Sequence, residues 1–535
     1  VNQETARATH GMVVAPHRLA AEAGRAVLRE GGNAIEAMIA AAAVIAVVYP
    51  HMNGLGGDNF WLISEGRREP AGIDACGAAA ALATREYYRH LGHTAAIPAR
   101  GPGAALTVAG AVSGWAAALE RSRAWGGRLP LARLLADAIV HARDGFPVSA
   151  TQSHNTAAKH AELAQQPGFA ASFLAGGEAP RPGDAMRLPR LASTLQHLAR
   201  AGLDDFYRGE LADALAHDLQ AAGSPLRRAD LARHQALAVA PLAVRLQGGV
   251  AYGMPPPTQG LASLMILGLF ERLGVRSAEG FDHVHGLVEA TKRAFLVRDA
   301  HVTDPAYLRV DPQSFLAPAF LDAEARRIDR RLALPWPQAA SPGDTVWLGA
   351  IDGEGRAVSF IQSIYWEFGS GVVLPASGIV WQNRGTSFSL DPAGRNALMP
   401  LRRPFHTIQP ALAQLDDGRT MPWGTMGGEG QPQTIAAVYT RHVLFGQDLA
   451  QAIAAPRWVL GRTWGSTVAN LRMEDRFDAA VVARLRAAGH DVQLVGPLEE
   501  MMGHAGALVR HGAGARAGLI EGAADPRSDG SAAGY

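Results

Sequence analysis

The stretch Asp344-Thr345-Val346-Trp347-Leu348-Gly349-Ala350-Ile351-Asp352-Gly353-Glu354-Gly355-Arg356-Ala357-Val358-Ser359-Phe360-Ile361-Gln362-Ser363-Ile364 decides the fold. Two apolar runs, 346–351 and 357–364, flank Asp352-Gly353-Glu354-Gly355, a composition that favours a tight turn. The predicted element is a β-hairpin. A turn centred on Glu354 sets Thr345 opposite Ser363, so two hydroxyls meet at the open end of the ribbon. Ahead of the hairpin, Ala340-Ser341-Pro342-Gly343-Asp344 reads as an exposed loop. A threonine at such a junction has what an N-terminal nucleophile requires. The preceding peptide bond can be reached, and a newly exposed amine would be held on a sheet.

A threonine hydroxyl alone is a weak nucleophile. Cutting the Asp344–Thr345 bond would give Thr345 its own α-amine, with a pKa of roughly 7.7–8.0, suited to a general base near neutral pH. Ser363 is placed to orient the hydroxyl. Farther on, Gly427-Gly428 precedes a helix, where backbone N–H groups can meet an oxyanion. Threonine commonly starts strands, so Thr345 by itself says little. The hairpin partner, Gly369-Ser370-Gly371 and Gly427-Gly428 favour the nucleophile together.

Working outward, Met12–Ala15 is predicted to be a buried strand. Residues 19–49 form two helices broken at Gly31-Gly32-Asn33, with Asn33 capping the second. Gly54-Leu55-Gly56-Gly57-Asp58-Asn59-Phe60 follows a helix and precedes a strand, the reverse of a dinucleotide loop. It reads as a tight turn with close backbone approach. Residues 101–334 are predicted to be mostly helical, with a rigid Pro255–Gly260 loop before a helix at 261–273. On a further helix, 283–299, His285, Glu289 and Lys292 share a face, read as an exposed or interfacial ion-pair row rather than a catalytic one. After Gly371 strands dominate: 379–382, a hairpin of 411–415 with 420–423, 492–495 and 508–510. Helices are expected at 433–439 and 479–488. No composition break marks a linker, so one compact unit of mixed α and β structure is expected.

Composition narrows the function. The 535 residues are 48% hydrophobic and 19% charged, with a net charge of +1, as in globular proteins. That balance gives no electrostatic case for nucleic acid or an anionic membrane. Cys76 is the only cysteine, so an intrachain disulfide and a CxxC metal site are both excluded. The histidines are scattered and no HExxH occurs, so no metal or organic cofactor is expected. The longest apolar run, 37–49, is shorter than the roughly 20 residues that span a bilayer. The first residues are polar, with no signal peptide. The expectation is a cytoplasmic location, or a periplasmic one had a leader been removed ahead of Val1.

The residues quoted above resemble the γ-glutamyltransferase family of N-terminal-nucleophile hydrolases. Similar segments run through nearly the whole chain: 11–15, 31–34, 54–60, 207–209, 256–257, 290–299, 345–371, 427–428, 455–457 and 525–527. The resemblance implies an α+β fold, a four-layer αββα sandwich. It also implies autocleavage at Asp344–Thr345 into a large chain, 1–344, and a small chain, 345–535, that stay associated. Thr345, Ser363, Gly427 and Gly428 would be the catalytic residues.

The glutamyl clamp of that family is not kept. Its arginine, which holds the glutamate α-carboxylate, corresponds to Cys76 in Asp74-Ala75-Cys76-Gly77. An asparagine of the second hairpin strand corresponds to Tyr365. The acidic residue that would hold the glutamate amine corresponds to Ser387, and a Ser-Ser pair to His406-Thr407. The altered stretch Gln382-Asn383-Arg384-Gly385 adds a cation, Arg384, whose fork suits a carboxylate; an ion pair at a surface or interface is its other reading. Tyr365, Asn383, Arg384, His406 and Thr407 are the candidate substrate residues. Their setting resembles the oxamate amidohydrolase branch, which implies a small-molecule amide and water as reactants. A glutathione-type γ-glutamyltransferase, a cephalosporin-type acylase and an inactive binding scaffold stay open as alternatives, as does assembly into a homo-oligomer.

Overall fold

The computed structural model describes residues 4–336, 344–461 and 470–535. The Asp344–Ile351 and Ala357–Tyr365 strands pair antiparallel as the sequence suggests, with Trp347 opposite Ile361 and Gly349 opposite Ser359. The ladder slips between Asp344, which faces Tyr365, and Val346, which faces Gln362. Thr345 occupies that bulge, a feature that re-aims a side chain at the end of a ladder. At the other end, Asp352 closes the turn by accepting from Arg356 N at 3.0 Å and Arg356 Nε at 2.7 Å.

This hairpin is the centre of a seven-stranded sheet. Its order is Ser531–Gly534, Met12–Ala15, Asp344–Ile351, Ala357–Tyr365, Asp58–Ser64, Ala71–Ala75, Leu237–Val239. A second seven-stranded sheet runs Ala6–Ala8, Ile520–Ala524, Ala505–Arg510, Thr420–Thr425, Ala411–Leu415, Gly249–Gly253, Leu242–Leu246. Between them lies an apolar layer of Phe60, Leu62, Trp347, Ile361, Leu412 and Leu508. A Cβ at Gly424 would lie 2.2 Å from Trp347 Cδ1, and one at Gly506 2.5 Å from its Cζ3. The two glycines therefore open the gap that admits the Trp347 indole, two residues from Thr345.

Helices cover the outer faces. Against the first sheet pack Arg18–Arg29 and Ala34–Val48. Asn33 caps the second of these in a reciprocal box with Glu36, accepting from Ile35 N and Glu36 N. Every residue of Ala34–Val48 is buried, as a helix apolar on all sides apart from the capping Glu36 requires. Against the second sheet pack Gly260–Arg272 and Gln431–Tyr439, and Phe281–His301 packs on the outer side of those two helices. The four layers are the expected αββα sandwich.

Two expectations need correction. The helical stretch before Thr345 contains an unforeseen hairpin, Leu242–Leu246 with Gly249–Gly253. Residues 379–382 form no extended strand: Val380 makes only an isolated antiparallel bridge to Val373, flanked by Trp381 N to Val372 O and Leu374 N to Ile379 O, and Gln382 N turns to Gly56 O. Of the two readings of the His285, Glu289 and Lys292 row, exposed or interfacial, the interfacial one holds: all three are buried, and Lys292 pairs with Glu289 at 2.7 Å. The loop expected at 340–343 lies outside the described residues.

Candidate active site

Thr345 is fully buried at the bulge. Its Oγ1 donates to Ser363 Oγ at 3.3 Å. Tyr365 N donates to the same Ser363 oxygen at 2.8 Å, which holds Ser363 in place. Gly57 packs under this contact: a Cβ there would fall 2.1 Å from Ser363 O. The glycine cluster is thus the close-approach turn expected of it.

Gly427 and Gly428 have φ of +114° and +53°, a left-handed pair that glycine adopts without strain. They turn the chain from the Thr420–Thr425 strand into a short 3₁₀ turn, Gly428–Gly430, and the Gln431–Tyr439 helix. Gln431, at the first position of that helix, donates to Thr345 Oγ1 at 3.5 Å. The helix start therefore faces the hydroxyl, where its unpaired N–H groups favour negative charge.

Two buried side chains anchor this turn. Gln259 Nε2 donates to Gly428 O at 2.8 Å and to Thr407 O at 2.6 Å. Arg298 donates to Gln259 Oε1 at 3.0 Å and pairs with Glu429 at 2.9 Å. One glutamine thus ties the glycine turn to the segment carrying His406 and Thr407.

Arg384 is buried beneath the site. Its Nη1 donates to Thr407 Oγ1 at 3.2 Å, and its guanidinium carbon lies 3.6 Å from the Tyr365 ring centroid. Its Nε and Nη2 have no hydrogen-bond partner among the described residues. Burial lowers its pKa to about 10, against the pull of Tyr365 and Asp58. The surface ion-pair reading of Arg384 is thereby removed. Tyr365 itself has φ of +84°, a strained conformation for a bulky side chain.

Beside Arg384, His406 Nε2 lies 3.0 Å from Asp58 Oδ2. Asp58 Oδ1 accepts from Gly77 N, Gly110 N and Gln382 Nε2. Burial pushes Asp58 up to about 7, those three donors opposing it, and pushes His406 well below its usual value. Cys76 is buried, and burial, with Asp74 adding to it, pushes its thiol well above the ordinary range. It carries no charge there. Asn383 takes a different part. Its Oδ1 accepts from Trp366 N and its Nδ2 donates to Ala99 O, so its amide braces the turn after Tyr365.

Thr345, Ser363, Gly427, Gly428, Tyr365, Arg384, His406 and Thr407 are therefore drawn toward one region. Of Asp344, only its place in the strand is described. Asp58, Gln259, Arg298 and Gln431 also belong to the region, and none was expected from the sequence. The only signal for them was their company: Asp58 in the glycine cluster, Gln259 after the prolines, Gln431 after Gly427–Gly430. Among the described residues one other group, His285, Glu289 and His490, has ligand atoms close enough to share a cation. They are already engaged: His285 with His490 at 2.9 Å, and Glu289 with Lys292 at 2.7 Å. The Lys292 ammonium supplies the positive charge there.

Residues 20–535 match the family model described as Gamma-glutamyltranspeptidase. The chain belongs to that family, and it is an enzyme of the N-terminal-nucleophile hydrolase class. Among its relatives, the oxamate amidohydrolase proenzyme of Klebsiella pneumoniae is 58% identical over 528 residues, covering 98% of this chain and 99% of the relative. The glutathione hydrolase-like YwrD proenzyme of Bacillus subtilis is 40% identical over 529 residues, covering 98% of each. The crystal structure of a cephalosporin acylase from Bacillus halodurans superposes with a TM-score of 0.90 at 33% identity, covering 100% of this chain and 97% of that one. No helix among the described residues is long and apolar enough to cross a membrane.

Proposed function

We propose that this protein is an autoprocessing N-terminal-threonine amidohydrolase that releases ammonia from a short carboxylate amide of the oxamate kind. The observation that carries the reading is Arg384, a buried guanidinium with two unpartnered nitrogens in the same region as Thr345. A buried charge of this sort is retained where an anion meets it. Cys76, neutral in the place of the family's clamp arginine, and Ser387 offer a glutamate neither a second cation nor an anion. The oxamate amidohydrolase proenzyme at 58% identity supports the same substrate class.

Cleavage of the Asp344–Thr345 bond would yield chains 1–344 and 345–535. The α-amine of Thr345 then takes the Oγ1 proton as the oxygen attacks the amide carbon, and Ser363 holds that oxygen's direction. N–H groups of the Gly427–Gly428 turn receive the oxyanion. As the tetrahedral intermediate collapses, the C–N bond breaks and ammonia leaves with the proton. Water, deprotonated by the same amine, attacks the Thr345 ester and frees the second carboxylate. Arg384 grips the carboxylate already present, whose carbon is bonded directly to the reacting amide carbon.

The test is a side-by-side assay of oxamate and γ-glutamyl-p-nitroanilide with the mature protein. Ammonia release from oxamate with little nitroaniline release is expected. The reverse preference would refute the substrate class and favour a glutathione-type hydrolase.

A further inference from the structure

A cavity of about 560 Å³ lies apart from the active region, between the end of the Phe281–His301 helix and the 392–402 loop. Arg309, Arg395, Arg402, His301, Thr303 and Tyr307 line it, and no aspartate or glutamate does.

The three arginines are not equivalent. Arg402 has a structural task. It donates to Ala397 O, Arg395 O and Thr303 Oγ1, and its guanidinium lies 4.2 Å from the Tyr307 ring centroid. Every one of these acceptors is neutral, and its Nε has no partner. Arg395 is half-buried, yet its side chain donates no hydrogen bond and joins no ion pair among the described residues. Arg309 is exposed and likewise joins none. The loop that carries Arg395 is firmly built: Ser389 N donates to Asn396 O, Leu398 N to Ser389 O and Gly394 N to Asp391 O.

Attraction to the negative end of the Phe281–His301 helix is the simpler account of these cations. It does not suffice. That end already has Arg298 and His301 in its last turn. Burial lowers the Arg395 pKa; Asp299 opposes this, and the like charges of Arg298 and Arg402 add to the lowering. Collecting like charges around an open cavity is costly without a counter-ion. The volume is within the range of small-molecule sites, and arginine forks suit planar or tetrahedral oxyanions.

We propose that this cavity binds a small oxyanion carrying two or more negative charges, phosphate-like or dicarboxylate, through Arg309, Arg395 and Arg402. The bound ion bridges the helix end and the loop. From Arg402 the chain runs through Arg403 and Phe405 to His406 and Thr407, so the loop so tied leads directly into the active region. Binding at this cavity does not depend on the oxamate reading.

The test is calorimetric titration of the full-length protein at fixed ionic strength. Inorganic phosphate and oxalate are the two probes, and acetate is the monoanion control. Saturable binding of phosphate, oxalate or both is expected, at least tenfold tighter than acetate. Which probe binds decides between the phosphate and dicarboxylate sources. Arg309→Glu and Arg395→Gln should each raise the Kd of the bound probe at least tenfold. Both should keep the wild-type melting temperature without added anion, and Arg309→Glu alters only an exposed side chain. Oxalate binding lost in Arg384→Gln but intact in both cavity variants would place the ion in the catalytic region and overturn the proposal. So would saturable binding of neither probe.

Discussion

Asp58 and His406 face each other at 3.0 Å beside Arg384, and both are buried from solvent. The pair joins the glycine-rich turn at 54–60 to the segment that carries Thr407. Either Asp58 is protonated and donates to His406 Nε2, or Asp58 is ionised and His406 donates. Burial pushes the Asp58 carboxyl from 3.8 to about 7, so the first arrangement holds through the acidic range.

Between about pH 4 and 7 the folded protein therefore keeps a proton that the unfolded chain has released. Stability falls as pH rises through that window, by at most about 1.4 kcal/mol per unit, and levels off above it. Asp58→Asn preserves the hydrogen bonds and removes the titration. Its stability relative to the parent should climb from pH 4.5 to pH 7 and then stay flat. Urea unfolding of both proteins in an uncut Thr345→Ala background measures this, and a constant difference across that range would contradict it.

Self-cleavage should depend on Thr345 and be slowed, not abolished, at Ser363. The wild-type protein should run as two chains, the smaller beginning Thr-Val-Trp-Leu-Gly. Thr345→Ala should remain one chain. Ser363→Ala removes the hydroxyl at 3.3 Å and should slow both processing and turnover by 10-fold or more while leaving the circular dichroism unchanged. An active protein that is never cut would defeat the nucleophile assignment.

Arg384→Gln should separate catalysis from maturation. A charge-assisted hydrogen bond contributes about 1.5–3 kcal/mol, so losing the carboxylate grip should lower kcat/KM for oxamate by one to two orders of magnitude or more. Cleavage at Asp344–Thr345 involves no substrate carboxylate and should proceed at near the parental rate. Gel analysis and ammonia release on the same preparation make the comparison. Equal losses in both would point to a structural role for Arg384.

Gly57→Ala should be more damaging than its size suggests. The added methyl would sit 2.1 Å from the Ser363 carbonyl oxygen, a backbone atom with little freedom in the middle of a sheet. Overpacking of this kind costs about 1–3 kcal/mol or more. The expected result is a lower melting temperature together with impaired processing, since relief of the clash moves Ser363. A variant with normal stability and normal processing would show that the Ser363 backbone can yield.

Much of this was legible because it is local. The Asp344–Tyr365 hairpin, its register and the Asn33 cap each depend on residues close in sequence. The Leu242–Gly253 hairpin was not, since two five-residue strands joined by Gln247-Gly248 lie inside a long helical region and carry a weak alternation. The 379–382 segment misled for the opposite reason. Its apolar run satisfies its backbone through isolated bridges, to the nearby 370–374 segment and to Gly56, rather than through a ladder. In the active region, Thr345 and the paired glycines announced themselves through turn chemistry. Asp58, Gln259 and Gln431 arrive there by tertiary convergence, which no spacing along the chain encodes. His285, Glu289 and Lys292 show the limit of helical spacing: it gave the shared face but left open whether another layer covers it.

The Met12–Ala15 strand lies between Ser531–Gly534 on one side and Asp344–Ile351 on the other. A strand from before the cut is thus enclosed by two from after it. Severing the Asp344–Thr345 bond would create two polypeptides without creating two separable bodies, since every backbone rung on both sides of Met12–Ala15 would have to open together. Diluting the mature protein should therefore leave its melting temperature unchanged. Mixing the two pieces after separate synthesis should fail to restore activity unless they are refolded together, because neither alone can complete the sheet.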